Sequence, residues 1–393
     1  MVGHRISRLV PQLLRILWSS IRGGRWQQFK QVALQGFSIA LKEASRRKVP
    51  SVGRPILNLG APFEPTPLFQ MATGYWASQA IYVAARLGIA DVLAAGPRSG
   101  QELADATGSD RQSLGRLLRA LCAMGVFRTP AADRFALAPL GEALRSGVPG
   151  SLRAMVLTLG EIHYEAWGHL FHSVKTGASA FQHAFGAPLF EYLGREPEAG
   201  TRFNEAMTDF SALVSYAVLL AYDFSDVRSI VDLGGGCGEL LTNILRMYPA
   251  MQGTVLDTPA VISAAESRLA SGPARERCTL LAGSFLEAVP PGADVYLMSG
   301  VIHDWDEDHA IRILRNCQGS MARHGRVLVI ECVVPEGDDA SFSKLLDLNM
   351  LVMNGGRERT TTEFRELFDA AGLRMTRVVP TLSPLSVVEA ARK

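Results

Sequence analysis

Residues 230–240 read Ile-Val-Asp-Leu-Gly-Gly-Gly-Cys-Gly-Glu-Leu and constrain the fold more than any other stretch of the chain. Ile230, Val231 and Leu233 form a short apolar, β-branched run without alternation. A strand reads this way when a parallel sheet is covered on both faces. Gly234, Gly235, Gly236 and Gly238 permit a tight turn and a close approach of backbone to a ligand. From Glu239 onward, Leu240, Leu241, Ile244 and Leu245 fall at helical spacing, so a glycine turn links strand to helix. Doubly wound α/β folds bind nucleotide-like ligands at such a junction. Alone the turn is a weak signal, and the residues after it decide its meaning.

Strand-like runs recur in βα order at 230–233, 254–256, 279–282, 294–298 and 326–330. A closing pair, 373–379 and 385–390, lacks a helix between its members and is expected to be antiparallel. These runs predict an open, Rossmann-like α/β sheet of about seven strands. Asp257 ends the second strand, 21 residues after Gly236, where an acid suits the two hydroxyls of a ribose. Nicotinamide dehydrogenases and S-adenosylmethionine (SAM) methyltransferases share this layout, and the spacing discriminates between them. A dinucleotide turn of the form Gly-x-Gly-x-x-Gly calls for Gly or Ala where the chain has Glu239. A carboxylate at the helix start is also poorly placed for a pyrophosphate. SAM carries a sulfonium cation and no phosphate, so acids and aromatic faces suit it. The residues favour SAM.

A third cluster, Val-Ile-His-Asp-Trp-Asp-Glu-Asp-His at 301–309, follows the fourth strand and projects His303 at the carboxyl edge of the sheet. A neutral imidazole there, with a pKa of about 6.5, can take a proton from a hydroxyl. Glu331 is expected to end the fifth strand at the same edge, and Glu358 lies in a Gly-Gly-Arg-Glu-Arg-Thr loop at 355–360. Two carboxylates beside one histidine orient the ring and stabilise the imidazolium. A metal site from His303, Asp304, Asp306, Asp308 and His309 is the alternative. Acids in a first helical turn also serve simply to complement the helix dipole.

Upstream, the chain divides by composition. Residues 1–60 hold eleven Lys/Arg and one acid, Glu43, or +10 against a whole-chain charge of +2, which leaves −8 on the rest. An acidic globular part argues against nucleic acid as its main partner. In the basic extension, Ile6, Leu9, Val10, Leu13, Leu14, Leu17 and Ile21 share a helical face opposite Arg5, Arg8, Arg15 and Arg22. That pattern suits weak membrane-surface contact through residues 1–48, an arm on a partner, a loosely ordered tail or a transit peptide. A Pro- and Gly-rich linker covers 49–66. The five cysteines are odd in number and contain no Cys-x-x-Cys pair, which fits a reducing cytoplasm.

Residues 64–225 are expected to be helical around a winged-helix core, with a helix over 67–95, a second capped by Ser99 with Glu102, and a third over 111–124. A wing is predicted at 126–127 and 134–137. Arg111, Arg116 and Arg119 make a DNA-binding regulator the rival function, although Glu102, Asp105 and Asp110 sit beside them. Trp167, Phe171, His172, Phe181, His183 and Phe185 cluster in sequence and are read as pocket lining or simply core. The expected domains are 1–63, 64–225 and 226–393.

Residues 65–393 resemble the class I SAM-dependent O-methyltransferases of the caffeate and acetylserotonin type, whose bacterial members tailor aromatic polyketides and other natural products. The matching motifs are Asp-Leu-Gly-Gly-Gly-x-Gly, Gly-Ser-Phe, His-Asp-Trp and Gly-Gly-Arg-Glu-Arg-Thr, in family order. The resemblance implies an all-α winged-helix dimerisation domain ahead of the catalytic sheet, a homodimer, and SAM as methyl donor. It implies His303 as base flanked by Glu331 and Glu358, and SAM contacts at Gly234, Gly236, Asp257, Phe285 and Ser299. Phe203-Asn204-x-x-Met207-x-x-x-Ser211 matches a family helix, which adds Met207 and Ser211 to the cofactor site. Asp304, Met350 and Asn354 fall at substrate positions. Ser284 stands where the family usually has the acid of Gly-Asp-Phe, so the adenine contact differs. A few relatives perform other chemistry, such as hydroxylation, with SAM bound; the presence of His303, Glu331 and Glu358 argues for methyl transfer to a hydroxyl.

Overall fold

The computed structural model describes residues 67–269 and 274–393, and the chain separates into compact units ending at Gly160 and beginning at Glu161. The extension at 1–63, with its amphipathic face at 6–21, lies outside the described residues.

In the first unit the helix expected over 67–95 is three pieces, Pro67–Ala72, Gly74–Arg86 and Ile89–Leu93. Helix α1 (Gly100–Thr107) starts in a full capping box. Ser99 Oγ accepts from the Glu102 amide at 3.1 Å, and the Ser99 amide donates to Glu102 at 2.7 Å. Asp110 caps α2 (Arg111–Ala123) by accepting from the Ser113 amide. Leu103, Leu114, Leu118 and Leu121 bury the inner faces of both helices against Val126 and Phe127. Strands β1 (Arg98–Ser99), β2 (Phe127–Ala131) and β3 (Arg134–Leu137) form a small antiparallel sheet in the order β1-β3-β2. The predicted wing is therefore present and longer than read, running through Pro130. With this sheet the unit is not purely α.

The second unit is built on the predicted sheet. Its strands are β4 (Ser229–Leu233), β5 (Gln252–Asp257), β6 (Cys278–Ala282), β7 (Val295–Ser299) and β8 (Arg326–Val334). Three further strands follow: β9 (Arg359–Thr360), β10 (Leu373–Pro380) and β11 (Leu385–Arg392). The order is β10-β11-β8-β7-β4-β5-β6, with β9 against the end of β8. Strands β4 to β8 are parallel, whereas β11 runs antiparallel to β8 and to β10, as the missing crossover helix requires. The first strand, β4, lies between β5 and β7, so connections leave it in opposite directions and a crevice opens at the carboxyl ends.

Both faces of the sheet are covered. One face packs Ile230, Val255 and Leu297 against Val214 and Val218 of α3 (Pro197–Ala221) and Leu241, Ile244 and Leu245 of α4 (Glu239–Met247). The other packs Val231, Tyr296 and Val329 against Ile313 of α6 (Glu307–Ser320) and Phe364 of α8 (Thr361–Ala370). Helix α5 (Pro259–Leu269) connects β5 to β6, and α7 (Phe342–Met353) follows β8.

The division between units differs from the boundary read at 225/226 because helices 161–221 share cores with the second unit. Ile162, Ala166 and Phe181 pack with Val352 and Met353 of α7.

Candidate active site

The glycine turn follows β4 as read, with Gly234, Gly236 and Gly238 all at positive φ (66°, 58° and 75°). The Gly234 backbone packs so closely on Val301 that a Cβ there would lie 2.8 Å from the valine, with Phe285 next at 3.6 Å. A Cβ on Gly236 would meet nothing within 4 Å, so the turn is open on that side. Asp257, at the end of β5, accepts from the Gly236 amide at 2.9 Å and from the Thr258 amide at 2.7 Å. One carboxylate thus ties the turn to the neighbouring strand end. Beneath the turn, Asp232 is buried with Oδ2 unpartnered among the described residues. Burial, helped by the charge of Asp257, pushes its carboxyl up to about 8. Glu239 opens α4 and accepts from Asn243 Nδ2 at 3.0 Å.

Phe285 meets Trp305 edge-on at 5.9 Å. Ser284 opens the turn after β6, where its carbonyl accepts from the Glu287 and Ala288 amides. Ser299 ends β7. Met207 and Ser211 lie one helical turn apart on α3, both half-buried. Among the described residues no side-chain hydrogen bond joins these last four to the rest of the site.

The strongest convergence is around His303, in a 3₁₀ turn (Ile302–Asp304) after β7. Its Nδ1 is 2.7 Å from Glu358 Oε1, and Nε2 is 3.7 Å from Asp304 Oδ1. Glu331 lies inside β8, which extends past the residue because Val333 and Val334 pair with β9. Its Oε1 accepts the backbone amides of Val301 (3.2 Å) and His303 (3.0 Å), so Glu331 holds the turn, and Glu358 holds the ring. Asn354 Nδ2 donates to Asp304, and the Arg357 amide donates to the His303 carbonyl at 2.8 Å. Met350 is buried on α7, one turn before Asn354.

This geometry corrects the neutral imidazole expected at about 6.5. Burial disfavours the cation, but Asp304, the hydrogen bond to Glu358, and the Glu331 charge outweigh it and push His303 up to about 10. These surroundings favour the imidazolium over the neutral ring. Burial pushes the carboxyls of Asp304 and Glu331 upward too, Glu331 to about 7. The other acids of the 301–309 cluster act on the helix: Asp306 caps α6 by accepting from the His309 amide at 2.9 Å.

Three further residues support this arrangement. Asp347 on α7 accepts the Glu358 amide at 2.9 Å. A Cβ on Gly356 would sit 1.9 Å from the His303 carbonyl oxygen. Arg359 is 1% exposed. The doubled glycine at 355–356 was the available signal for the second. The aromatic cluster also divides. Phe181 is core, stacked on Phe185 at 4.4 Å; His172 stacks on His183; and Trp167 Nε1 reaches Asn349 on α7 at 2.9 Å.

Carboxylates and aromatic rings surround the open turn, and its nearest buried orphan atom is an acid oxygen, a donor set that fits a cationic, phosphate-free ligand. With the strand order, this defines a class I SAM-dependent methyltransferase. The chain belongs to the O-methyltransferase family, matching its O-methyltransferase domain over residues 167–374 and its dimerisation domain over 69–147. Phenazine O-methyltransferase of Lysobacter antibioticus is 46% identical over 82% of this chain and 95% of that one. Phenazine-1-carboxylate N-methyltransferase of Pseudomonas aeruginosa is 39% identical over 83% and 96%. The crystal structure of human N-acetylserotonin methyltransferase in complex with SAM superposes with a TM-score of 0.79 at 27% identity, covering 85% of this chain and 99% of that one.

Proposed function

We propose that this enzyme methylates a phenolic hydroxyl of a small aromatic or polyketide-like metabolite, with His303 as general base. The carrying observation is the 2.7 Å contact of His303 Nδ1 with Glu358, which leaves Nε2, 3.7 Å from Asp304 Oδ1, as the nitrogen that can face the acceptor. In the neutral ring Nδ1–H donates to Glu358, so the Nε2 lone pair is the one that takes the acceptor's proton. Glu331 fixes the turn, Asp304 stands beside Nε2 to stabilise the imidazolium, and Met350 and Asn354 border the acceptor. Gly234, Gly236, Asp257, Ser284, Phe285 and Ser299, with Met207 and Ser211, would hold SAM, which when bound supplies an electrophilic methyl group on a sulfonium.

A histidine pushed up to about 10 is, once neutral, a base strong enough to take the proton of a phenol, whose own pKa is about 10. The sign of the pH dependence follows: the base must first lose its proton. kcat/KM for the acceptor is expected to rise with pH from neutrality toward the alkaline range. Glu358→Gln removes a charge that favours the cation, so the rise should move to lower pH. A flat profile in the wild type would count against the base.

The relative that methylates a phenazine oxygen supports a flat aromatic acceptor. An N-methylating relative makes nitrogen the second reading. Incubation with SAM and paired hydroxy- and amino-aromatics, read by mass spectrometry, decides between them; methylation of the amines alone would overturn the phenolic reading. Asp257→Ala should weaken SAM binding by about 10–100-fold, the loss of hydrogen bonds to a carboxylate, in calorimetry.

The dimerisation-domain match supports a homodimer, with the winged helix serving assembly. The exposed apolar residues Leu68, Met71 and Trp76 fit that use. Free thiols at the five cysteines support a reducing cytoplasm, and no helix of the described residues is long and apolar enough to cross a membrane.

A further inference from the structure

Arg359 is the only buried Lys or Arg among the described residues. It follows Glu358 in the chain as the first residue of the short strand β9, and the two side chains meet different partners. Glu358 meets the imidazole. Arg359 passes beneath the turn that carries it, donating from Nη2 to Glu307 at 3.1 Å and from Nη1 to the Ile302 carbonyl at 3.4 Å. Glu307 stands in the first turn of α6 and is half exposed, so it offsets only part of a buried guanidinium charge. The Nε of Arg359 has no partner among the described residues, and the guanidinium charge acts on buried Glu331. Glu331 and Glu358 are both fully buried, and each keeps one oxygen unpartnered among the described residues.

We propose that Arg359 is a positioning residue, which locks the His303 turn to the start of α6 and adds, beside the imidazolium, a buried positive charge on the turn that Glu331 holds. Two backbone carbonyls of this stretch are then held from the 354–359 loop, Ile302 by Arg359 and His303 by the Arg357 amide. Two of its amides, Val301 and His303, are held by Glu331. The turn is pinned from both sides. The groups facing this arrangement are Asp304, Glu331, Asp347 and Glu358 as acids and His303 and Arg357 as bases. Arg357 is exposed and paired with Glu363, so the buried positive charges facing these acids are His303 and Arg359. In keeping with this, burial drives Glu331 up toward neutrality, and the Arg359 charge opposes that drift. An ammonium cannot bridge a carbonyl and a carboxylate as a planar fork does, which separates the two roles.

The inference rests on His303 being the base, so its test includes a measurement made without either substrate. Infrared titration follows the Glu331 carboxyl, assigned by its disappearance in Glu331→Gln. In Arg359→Met the carboxyl should titrate about one pH unit higher. Under turnover the same variant should lose about 10–100-fold in kcat, with both KM values within about twofold. Arg359→Lys should restore the titration and only part of kcat. A folded Arg359→Met with wild-type kcat, or with an unmoved titration, overturns the proposal. Should Arg359→Met not fold, Arg359→Lys and Glu307→Gln replace it, and wild-type kcat in both overturns it. Failure to find any accepted phenol would sink the base assignment while leaving the titration to decide the charge role.

Discussion

His303→Ala is expected to lower kcat by about 10²–10⁴-fold, the range a positioned proton acceptor contributes. The affinity for SAM should stay close to wild type, because the glycine turn, Asp257 and Phe285 are tied to β4, β5 and the loop after β6. The loss should therefore fall in kcat rather than in binding. The defect should shrink at high pH with acceptors that ionise easily, since a phenolate needs no base. A uniform defect across acceptors of different acidity would mean that His303 only shapes the pocket. Turnover near the wild-type value would remove it from the chemistry altogether. Calorimetry with SAM and a kcat series over substituted phenols distinguish these outcomes.

The second large effect is expected at a residue with no side chain. Gly356→Ala places a methyl group 1.9 Å from the His303 carbonyl oxygen and 3.0 Å from the Asp304 carbonyl carbon, both backbone atoms that cannot rotate away. Either the 354–359 loop or the His303 turn must move. In either case the Arg357 amide bond to His303 is strained and Glu358 shifts against the ring. A displacement of this size should cost roughly 10²-fold in kcat, and overpacking should remove about 1–3 kcal/mol of stability. Gly319→Ala serves as the control. It lies in α6, where an added methyl meets nothing within 4 Å, and its kcat should match the wild type. Thermal melting and steady-state kinetics check both variants. Gly356→Ala with an unchanged kcat would show that the loop does not position the base.

Local chemistry was legible along the chain, and convergence was not. The strands announced themselves because buried parallel strands are runs of β-branched and apolar residues, and the expected starts of β4, β5, β7 and β8 lie within two residues of the observed ones. The glycine turn, Asp257 and His303 could be placed at one edge because strand ends and helix starts fix where an edge lies. The basicity of His303 could not be read. It depends on Asp304, Glu331 and Glu358 meeting one ring, and Glu358 lies 55 positions away. The burial of Arg359 was hidden for a related reason, because arginine is ordinarily a surface residue and only the tertiary fold shows what covers it. The helices after residue 161 adjoin the N-terminal part in sequence, and only the fold shows that their apolar residues find partners in Val352 and Met353.

Helix α7 serves two neighbours at once. Val352 and Met353 pack into the core formed with Ile162, Ala166 and Phe181, and Asp347 holds the backbone of Glu358. Asn354, immediately past its end, holds Asp304. With the acceptor beside Met350 and Asn354 as proposed, a substitution that reshapes its side of the site through this helix is transmitted to the groups around His303. Acceptor range and turnover rate are therefore not free to evolve apart here, and a variant selected for a new acceptor should first show itself as a slower enzyme. Second-site changes that restore its speed would be expected around Asp347 and the 354–359 loop rather than among residues that touch the new acceptor.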